Sequence, residues 1–90
     1  MDFGKALEAL KEGKKVAREG WNGKNMFIVY QKAYPQGIPI NKNTSEALGL
    51  PEGTIVKFHP YIMMKTAQGY CVPWLASQAD LLDEDWVIVE

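Results

Sequence analysis

The sequence has little of the residues from which most metal centres and nucleophilic active sites are built. It contains one cysteine, Cys71, and one histidine, His59. A single cysteine cannot form an intrachain disulfide, and this pair alone cannot complete a zinc site. No basic segment followed by an apolar run opens the chain, and no stretch approaches the roughly 20 apolar residues of a membrane span. We therefore expect a cytoplasmic protein with no membrane partner, no metal and no cofactor.

The sequence also lacks an excess of charge of either sign. Ten Lys and Arg stand against eleven Asp and Glu, which gives a formal net charge of −1. Domains that grip duplex nucleic acid release counterions from a clearly basic face, so the balance argues against that class of protein. The charge balance does not exclude the binding of a small anionic ligand.

The chain is too short for a cofactor domain beside a substrate domain. A protein of 90 residues and 10.1 kDa is expected to fold with roughly 5,300 Å² of accessible surface, burying about 64% of the surface of the unfolded chain. We expect a single domain over residues 1–90 with a thin core. Aromatic residues and methionines are enriched in the cores of interfaces between subunits. We therefore expect a neighbouring subunit to cover part of the apolar surface that the thin core leaves exposed.

The order of residues predicts an α+β domain. Apolar residues at helical spacing from Phe3 to Leu10, with Asp2 as N-cap and Gly13 just after the end, predict an N-terminal helix. Segments rich in alternating apolar, aromatic and β-branched residues predict strands, which are Lys15–Arg18, Met26–Tyr30, Thr54–Phe58, Tyr61–Thr66, Tyr70–Trp74 and Trp86–Val89. We expect a small antiparallel sheet of about five or six strands, with the N-terminal helix packed on it and one or two short helices.

The middle of the chain predicts a loop and a short helix. Two prolines and a glycine between Tyr34 and Lys42 predict an ordered surface loop. Asn43, with Glu46 three residues later, predicts the cap of a helix of one or two turns that Gly49 ends.

The candidates for catalysis lack the partners that catalysis needs. His59 lies between Phe58 and Pro60 with no second group to orient it, and we interpret it as a histidine at a strand edge. Cys71 has no basic neighbour in sequence to lower its pKa, and we interpret it as a small buried residue. The acidic run Asp80, Asp83, Glu84 and Asp85 lacks the spacing of a calcium loop, which favours a solvated helix end.

The first group of residues suited to binding lies between the first two strands. Arg18, Trp21, Asn22 and Lys24 combine cations, a stacking surface and an amide, which are the groups that bind phosphate, a ring and polar base or ribose edges. Asn22-Gly23 favours a tight hairpin turn, although Gly20 to Asn25 also fit a broader loop. The alternative is that Trp21 only anchors the turn.

A second group surrounds the start of a predicted helix near the C-terminus. Trp74 precedes Ser77, Gln78 and Asp80, and Ser77 with Asp80 forms a capping pair for a helix through Leu82. A helix N-terminus favours an anion. The alternative is that Trp74 covers the core and Ser77 is only a cap, and Trp86, which opens an apolar strand, fits such a core role.

Several segments, in order, resemble one family along nearly the whole chain. They are Phe3-Gly4-x-Ala6-Leu7, Lys11-x-Gly13, Ala17-Arg18-x-Gly20-Trp21-Asn22-Gly23-Lys24, Pro60-x-Ile62-x-Met64-Lys65-Thr66-Ala67, Val72-Pro73-Trp74-Leu75-Ala76-Ser77-Gln78 and Asp80-x-Leu82-x-x-Asp85-Trp86. This pattern is similar to the second class of phage anti-Thoeris proteins, which are sponges for nucleotide immune signals. Residues Gln31 to Glu52 contribute nothing to the resemblance.

The resemblance implies a non-enzymatic protein in the cytoplasm of the infected bacterium. It implies that the protein sequesters a cyclic ADP-ribose isomer, that cyclic dinucleotides are further candidate ligands, and that a homotetramer holds the ligands between its subunits. The matching motifs assign ligand binding to Trp21, Asn22 and Trp74.

The chemistry of the neighbouring residues extends this candidate site. We expect one tryptophan to stack on adenine, and Asn22, Ser77 and Gln78 to bind ribose hydroxyls or base edges. Arg18 and Lys24 are expected at the diphosphate, and Asp80 at a ribose hydroxyl. Two other classes of function stay open, which are an enzyme that cleaves the signal and a structural or protein-binding phage module.

Overall fold

The computed structural model describes residues 1–90, which form three helices and seven strands. In chain order they are α1 (Phe3–Lys11), β1 (Lys15–Arg18), β2 (Phe27–Gln31), β3 (Tyr34–Pro39), α2 (Lys42–Leu48), β4 (Ile55–Phe58), β5 (Tyr61–Lys65), β6 (Cys71–Pro73), α3 (Gln78–Leu82) and β7 (Trp86–Val89). Five strands form an antiparallel sheet in the order β6-β5-β2-β1-β7, and β3 pairs with β4 in a second sheet. The predicted α+β class is confirmed. None of the helices has the length and apolar character needed to span a membrane.

Helix α1 forms where the sequence predicts it and covers one face of the five-stranded sheet. The Asp2 carboxylate accepts a hydrogen bond from the Lys5 backbone N–H at 2.8 Å, and Gly13 leaves the helix at a φ of 94°. The helix buries Ala6 and Leu10 against strand residues that include Val16 and Trp86. These packed residues form the main core.

The two faces of the sheet differ in what covers them. Residues paired across antiparallel strands point to the same face, so Val16, opposite Ile28, lies on the face that α1 covers. Val29, opposite Met63, lies on the other face. Ala17, one residue after Val16, also points there. An apolar second face is therefore present, as the thin core led us to expect.

The two-stranded sheet continues the β2–β5 pair beyond a break. Gln31 pairs with Tyr61 at the end of one ladder, and Tyr34 pairs with Phe58 at the start of the next. We call residues 32–60, which include α2, the arm. The arm accounts for an elongated shape of 44 × 26 × 25 Å and a radius of gyration of 15.3 Å, where about 12 Å is typical of this length.

Two expectations about the arm are wrong. The loop predicted from Tyr34 to Lys42 contains strand β3, since a two-stranded sheet consists only of edge strands, where proline is tolerated. Gly37, at a φ of 92°, lies where the register of β3 shifts between Tyr34 and Ile38. The predicted helix exists and ends at Gly49, but its N-cap is Asn41, whose side chain accepts from the Thr44 N–H at 2.9 Å.

The connection from β1 to β2 is the broader loop rather than a two-residue turn. It spans residues 19–26, and its positive φ belongs to Asn25, at 62°, and not to Asn22 or Gly23. Gly23 is needed here for close packing, since a Cβ at this position would lie 2.8 Å from the Cβ of Ala67. The loop backbone at Gly23 therefore lies close to the turn between β5 and β6.

The expectation that Cys71 is buried is wrong, because Cys71 lies on edge strand β6 and is exposed.

The expectation of a thin core is confirmed, because nine of the 90 residues are buried. The accessible surface of 6480 Å² exceeds by about 1,200 Å² the value expected for a compact chain of this mass. The projecting arm and exposed apolar side chains explain this excess.

Candidate functional site

Four aromatic rings meet at one end of α1 and form what we call the tryptophan cluster. Trp86 is 1% exposed and lies at its centre. The Trp21 ring contacts it edge-on with centroids 5.3 Å apart, and the Trp74 ring does so at 6.0 Å. Phe3, from the first turn of α1, completes the cluster with a centroid distance of 5.4 Å to Trp86. Trp21 and Trp74 are half-buried, unlike the enclosed Trp86.

Beside the rings lies a cluster of charges that we call the Arg18 network. The Arg18 guanidinium donates from Nε to Asp85 at 2.8 Å, from Nη1 to Asp80 at 2.9 Å and from Nη2 to Asp83. The side chains of Arg18 and Asp80 are about one-tenth exposed, whereas that of Asp83 is 54% exposed. One cation among three carboxylates gives the network a formal charge of −2, so it does not by itself attract an anion.

The network shifts the titration of its members. Hydrogen bonds from Arg18 hold the pKa of Asp85 below its usual range, against the opposing effect of burial. Burial raises the pKa of Asp80, but hydrogen bonds from the Ser77 N–H, Arg18, the Ser77 hydroxyl and Trp21 outweigh it and leave the pKa lowered. The carboxylates raise the pKa of Arg18. All three groups are therefore charged at neutral pH.

Asp80 joins the Arg18 network to the tryptophan cluster. Its carboxylate accepts from the Ser77 backbone N–H at 2.8 Å, while the Ser77 hydroxyl accepts from the Asp80 N–H at 3.1 Å. This capping box at the start of α3 confirms the predicted cap. The same carboxylate lies 3.4 Å from Trp21 Nε1, and the Asp80 carbonyl accepts from Trp86 Nε1 at 2.8 Å. The interpretation of Asp80 as part of a solvated helix end is wrong, because this residue is 7% exposed.

The structure brings five of the eight predicted site residues into one assembly. Trp21 and Trp74 flank Trp86, and the remaining three, Arg18, Ser77 and Asp80, share hydrogen bonds around the Asp80 carboxylate. Asn22 and Lys24 are exposed on the β1–β2 loop, and Gln78 is exposed on the first turn of α3. Their side chains make no hydrogen bond or ion pair within the chain, so no contact joins them to the assembly.

Sequence reasoning missed two features of this site. Phe3 was predicted only as part of the apolar face of α1, yet its ring lies 6.1 Å from Trp74. Asp85 was interpreted without Arg18, although the two residues form an ion pair across 67 positions. Arg18 and Trp86 occupy paired positions on β1 and β7, so the pairing of these strands brings Asp85, the residue before Trp86, near Arg18. No local pattern in the sequence indicates this pairing.

The remaining candidates for chemistry lie apart from this assembly. His59 is exposed in the arm, and Cys71 is exposed on β6. No group of three or more His, Cys, Asp or Glu side chains is arranged to hold a metal ion. The assembly itself offers aromatic surface and the Ser77 hydroxyl, while the amides of Asn22 and Gln78 and the Lys24 ammonium are exposed on the segments that carry Trp21 and Ser77. Such groups are suited to binding a polar ring system.

The fold and the site together define a small α+β protein with one helix-covered sheet and a partly open tryptophan cluster braced by an arginine–carboxylate network. The Tad2-like family model, described as the Thoeris anti-defense 2-like domain, matches residues 1–89. Thoeris anti-defense 2 of Bacillus phage SP01 is 40% identical over 89 residues, which are 99% of this chain and 94% of that protein. The chain belongs to the Tad2-like family of Thoeris anti-defense proteins, which confirms the resemblance of its motifs.

Proposed function

We propose that this protein blocks Thoeris defense by sequestering the nucleotide signal, a cyclic ADP-ribose isomer, in the cytoplasm of the infected bacterium. It acts as a binding protein and not as an enzyme. The observation that carries the proposal is the pair of half-buried tryptophans, Trp21 and Trp74, held on two sides of Trp86. Membership of the Tad2-like family supports it.

In this proposal the exposed polar side chains contact the ligand directly. Trp21 or Trp74 stacks on the adenine, while Asn22, Ser77 and Gln78 bind ribose hydroxyls or base edges. Lys24, which has no ion-pair partner within the chain, binds the diphosphate. These groups need no rearrangement of the core to reach a ligand, because they are exposed.

The structure changes the roles that we propose for Arg18 and Asp80. The three guanidinium nitrogens of Arg18 each donate to a carboxylate, so a direct bond to phosphate would compete with three existing ion pairs. The Asp80 carboxylate already accepts from Arg18 and from the Ser77 N–H. We therefore assign both a positioning role, in which they fix Trp21 and the start of α3.

A homotetramer with ligand sites between subunits fits the surface of the chain. Exposed apolar side chains flank the site, with Leu75 at 92% exposure directly after Trp74, and Leu81 and Leu82 at 44% and 73% on α3. The excess of about 1,200 Å² over the surface expected for this mass exceeds the roughly 800 Å² that each partner buries in a standard interface. Association would cover these leucines and enclose the ligand.

Enclosure matters because a sponge without turnover must bind tightly. A nanomolar dissociation constant corresponds to about −12 kcal/mol, whereas one base stacked on an aromatic side chain contributes about 1–3 kcal/mol. Several desolvated contacts are therefore required. A site formed by residues from two subunits supplies these contacts although each chain is short.

The test is to incubate the purified protein with the cyclic ADP-ribose isomer, remove free nucleotide, denature the protein by heat and identify the released nucleotide by mass spectrometry. We expect the intact cyclic molecule in stoichiometric amount, and a cyclic dinucleotide is tested in the same way. Recovery of a linear product would instead show an enzyme that cleaves the signal. A structural module would release nothing, and its melting temperature would not rise with nucleotide, as tight binding requires.

A further inference from the structure

The backbone of the loop that carries Trp21 donates hydrogen bonds only at its start. The loop spans residues 19–26, between β1 and β2. Its first three backbone N–H groups donate in turn to the Asp85 carbonyl at 3.0 Å, to the Asp85 carboxylate at 2.9 Å and to the Arg18 carbonyl at 3.2 Å. The backbone N–H groups of residues 22–26 donate no hydrogen bond within the chain. Asp85 therefore accepts two of the three hydrogen bonds that the loop backbone donates.

The Asp85 carboxylate joins this loop to the Arg18 network and uses a different oxygen for each. Oδ1 accepts from Arg18 Nε at 2.8 Å, and Oδ2 accepts from the Gly20 N–H at 2.9 Å. Hydrogen bonds from Arg18 lower the pKa of Asp85, so the carboxylate is charged and both bonds are charge-assisted. An asparagine amide would present a donor at one of these two positions, where the carboxylate presents an acceptor.

Gly20 allows this contact because it has no side chain. A Cβ at this position would lie 2.9 Å from Asp85 Oδ2, which is closer than Cβ atoms come to other heavy atoms in proteins. Gly20 is not among the glycines with a positive φ, so its backbone would accept an alanine. The absence of a Cβ therefore serves the approach of the carboxylate and not the conformation of the chain.

We propose that Asp85 is a positioning residue for signal binding, which holds the start of the β1–β2 loop so that Trp21 stays beside Trp86. This role rests on the proposed function, in which Trp21 or Trp74 stacks on the adenine. Asp85 directly precedes Trp86, which pairs with Arg18 across β7 and β1, so one segment fixes both the central ring and the loop. A ring that is already in place loses less conformational freedom on binding, so Asp85 raises the affinity through Trp21.

The test compares the wild-type full chain with Asp85→Asn, Gly20→Ala and the double variant by isothermal titration with the cyclic ADP-ribose isomer. We expect each single substitution to lower the affinity about five- to tenfold, with the number of bound ligands per chain unchanged. Because both substitutions break the same contact, the double variant should lose no more than about twofold beyond the more affected single variant. Asp83→Asn is the matched control and should keep the wild-type affinity, since Asp83 pairs with Arg18 but with no backbone group of the loop.

Hydrogen exchange in the ligand-free chain provides a readout that a general loss of stability would not reproduce. In Asp85→Asn the Gly20 amide should exchange at least about tenfold faster, because its acceptor is lost, and the Trp21 indole resonance should shift. The Glu19 amide is the internal control, because it donates to the Asp85 carbonyl, which the substitution keeps. Its exchange should change by less than about twofold.

Wild-type affinity in Asp85→Asn overturns this inference, as do single losses that add in the double variant or an equal loss in Asp83→Asn. Equal acceleration at the Glu19 and Gly20 amides overturns it as well, since the substitution would then open the whole β1–β7 ladder. If Asp85→Asn does not fold, the affinity of Gly20→Ala decides alone, because that variant keeps the carboxylate. A wild-type chain that binds no cyclic signal overturns the proposed function and this inference with it, whereas normal wild-type binding with an unaffected Asp85→Asn overturns this inference alone.

Discussion

Trp21 and Trp74 are the residues on which the proposed signal site depends most. Each is half-buried and has its ring edge-on to Trp86. Trp86, in contrast, is fully enclosed and donates its indole N–H to the Asp80 carbonyl. The three tryptophans therefore divide into one structural ring and two rings that can contact a ligand.

Replacing either partly exposed tryptophan should weaken signal binding. We expect Trp21→Ala and Trp74→Ala each to lower affinity by about 5- to 150-fold, the loss of one stacked base at about 1–3 kcal/mol. Isothermal titration with the cyclic ADP-ribose isomer measures this, with circular dichroism as a check of folding. Tyr70→Ala is the control, since Tyr70 is an exposed aromatic residue outside the cluster. Unchanged affinity in both tryptophan variants would refute the site.

Asp80 should contribute to stability far more than its neighbour Asp83. We expect Asp80→Asn to lower the free energy of unfolding by about 2 kcal/mol, because it weakens charge-assisted hydrogen bonds to a buried arginine. Asp83→Asn should cost less than about 1 kcal/mol, since its carboxylate is half-exposed. Urea unfolding measures both. Equal losses would show that the network does not depend on burial.

Stability should fall on acidification below about pH 4. The pKa values of Asp80 and Asp85 are lowered in the folded chain, so folding favours their charged forms. The resulting stabilisation is complete above the unfolded pKa of about 3.9 and is lost as pH falls through the folded values. Unfolding measured from pH 7 to pH 2.5 should show this decline, and Asp80→Asn should reduce its size. A decline of the same size in that variant would contradict the assignment.

At the scale of elements, the arm depends on a backbone conformation that only glycine adopts easily. Gly37 in β3 and Gly53 before β4 have similar φ angles, 92° and 87°. Their surroundings differ, because a Cβ on Gly37 would overlap the Ile55 side chain, whereas a Cβ on Gly53 would meet nothing within 4 Å. Comparing substitutions at these two glycines therefore separates the cost of backbone strain from the cost of steric crowding.

Alanine at these two positions should therefore destabilise the arm to different extents. We expect Gly53→Ala to cost about 1–2 kcal/mol from the left-handed conformation alone, and Gly37→Ala to cost more. Hydrogen exchange of the β3 and β4 amides, such as those of Ile38 and Val56, measures the local opening free energy. Equal effects would mean that Ile55 moves aside without cost.

At the scale of the whole molecule, the exposed leucines around the site indicate where subunits meet. Leu82 and Leu48 are each the last residue of a short helix, and they are 73% and 54% exposed. Leu82 ends α3 beside the proposed site, whereas Leu48 ends α2 in the arm. The two residues thus form a matched pair in different surroundings.

A charged residue in place of Leu82 should both separate the subunits and weaken signal binding. We expect Leu82→Asp to shift the protein from a tetramer to smaller species in analytical ultracentrifugation, because a desolvated carboxylate opposes a hydrophobic contact. Affinity for the cyclic signal should fall in parallel. Leu48→Asp should leave both unchanged. A Leu82→Asp tetramer with normal affinity would place the subunit contact elsewhere.

The sequence by itself determined the helices, the strands of the main sheet and the residue types of the site. Caps, turn glycines and apolar periodicity are local signals, so Asp2, Gly13 and the Ser77–Asp80 box could be recognised from neighbours in the chain. The motifs were likewise sufficient to recognise the family.

The tertiary structure decided the arm and the roles of charged residues. Strand β3 contains two prolines, and only its pairing as an edge with β4 makes it a strand. Arg18 could be read as a phosphate ligand until the pairing of β1 with β7 placed it among carboxylates distant in sequence. Local patterns fix backbone conformation, but whether a charge is free to bind a ligand depends on which residues the fold brings beside it.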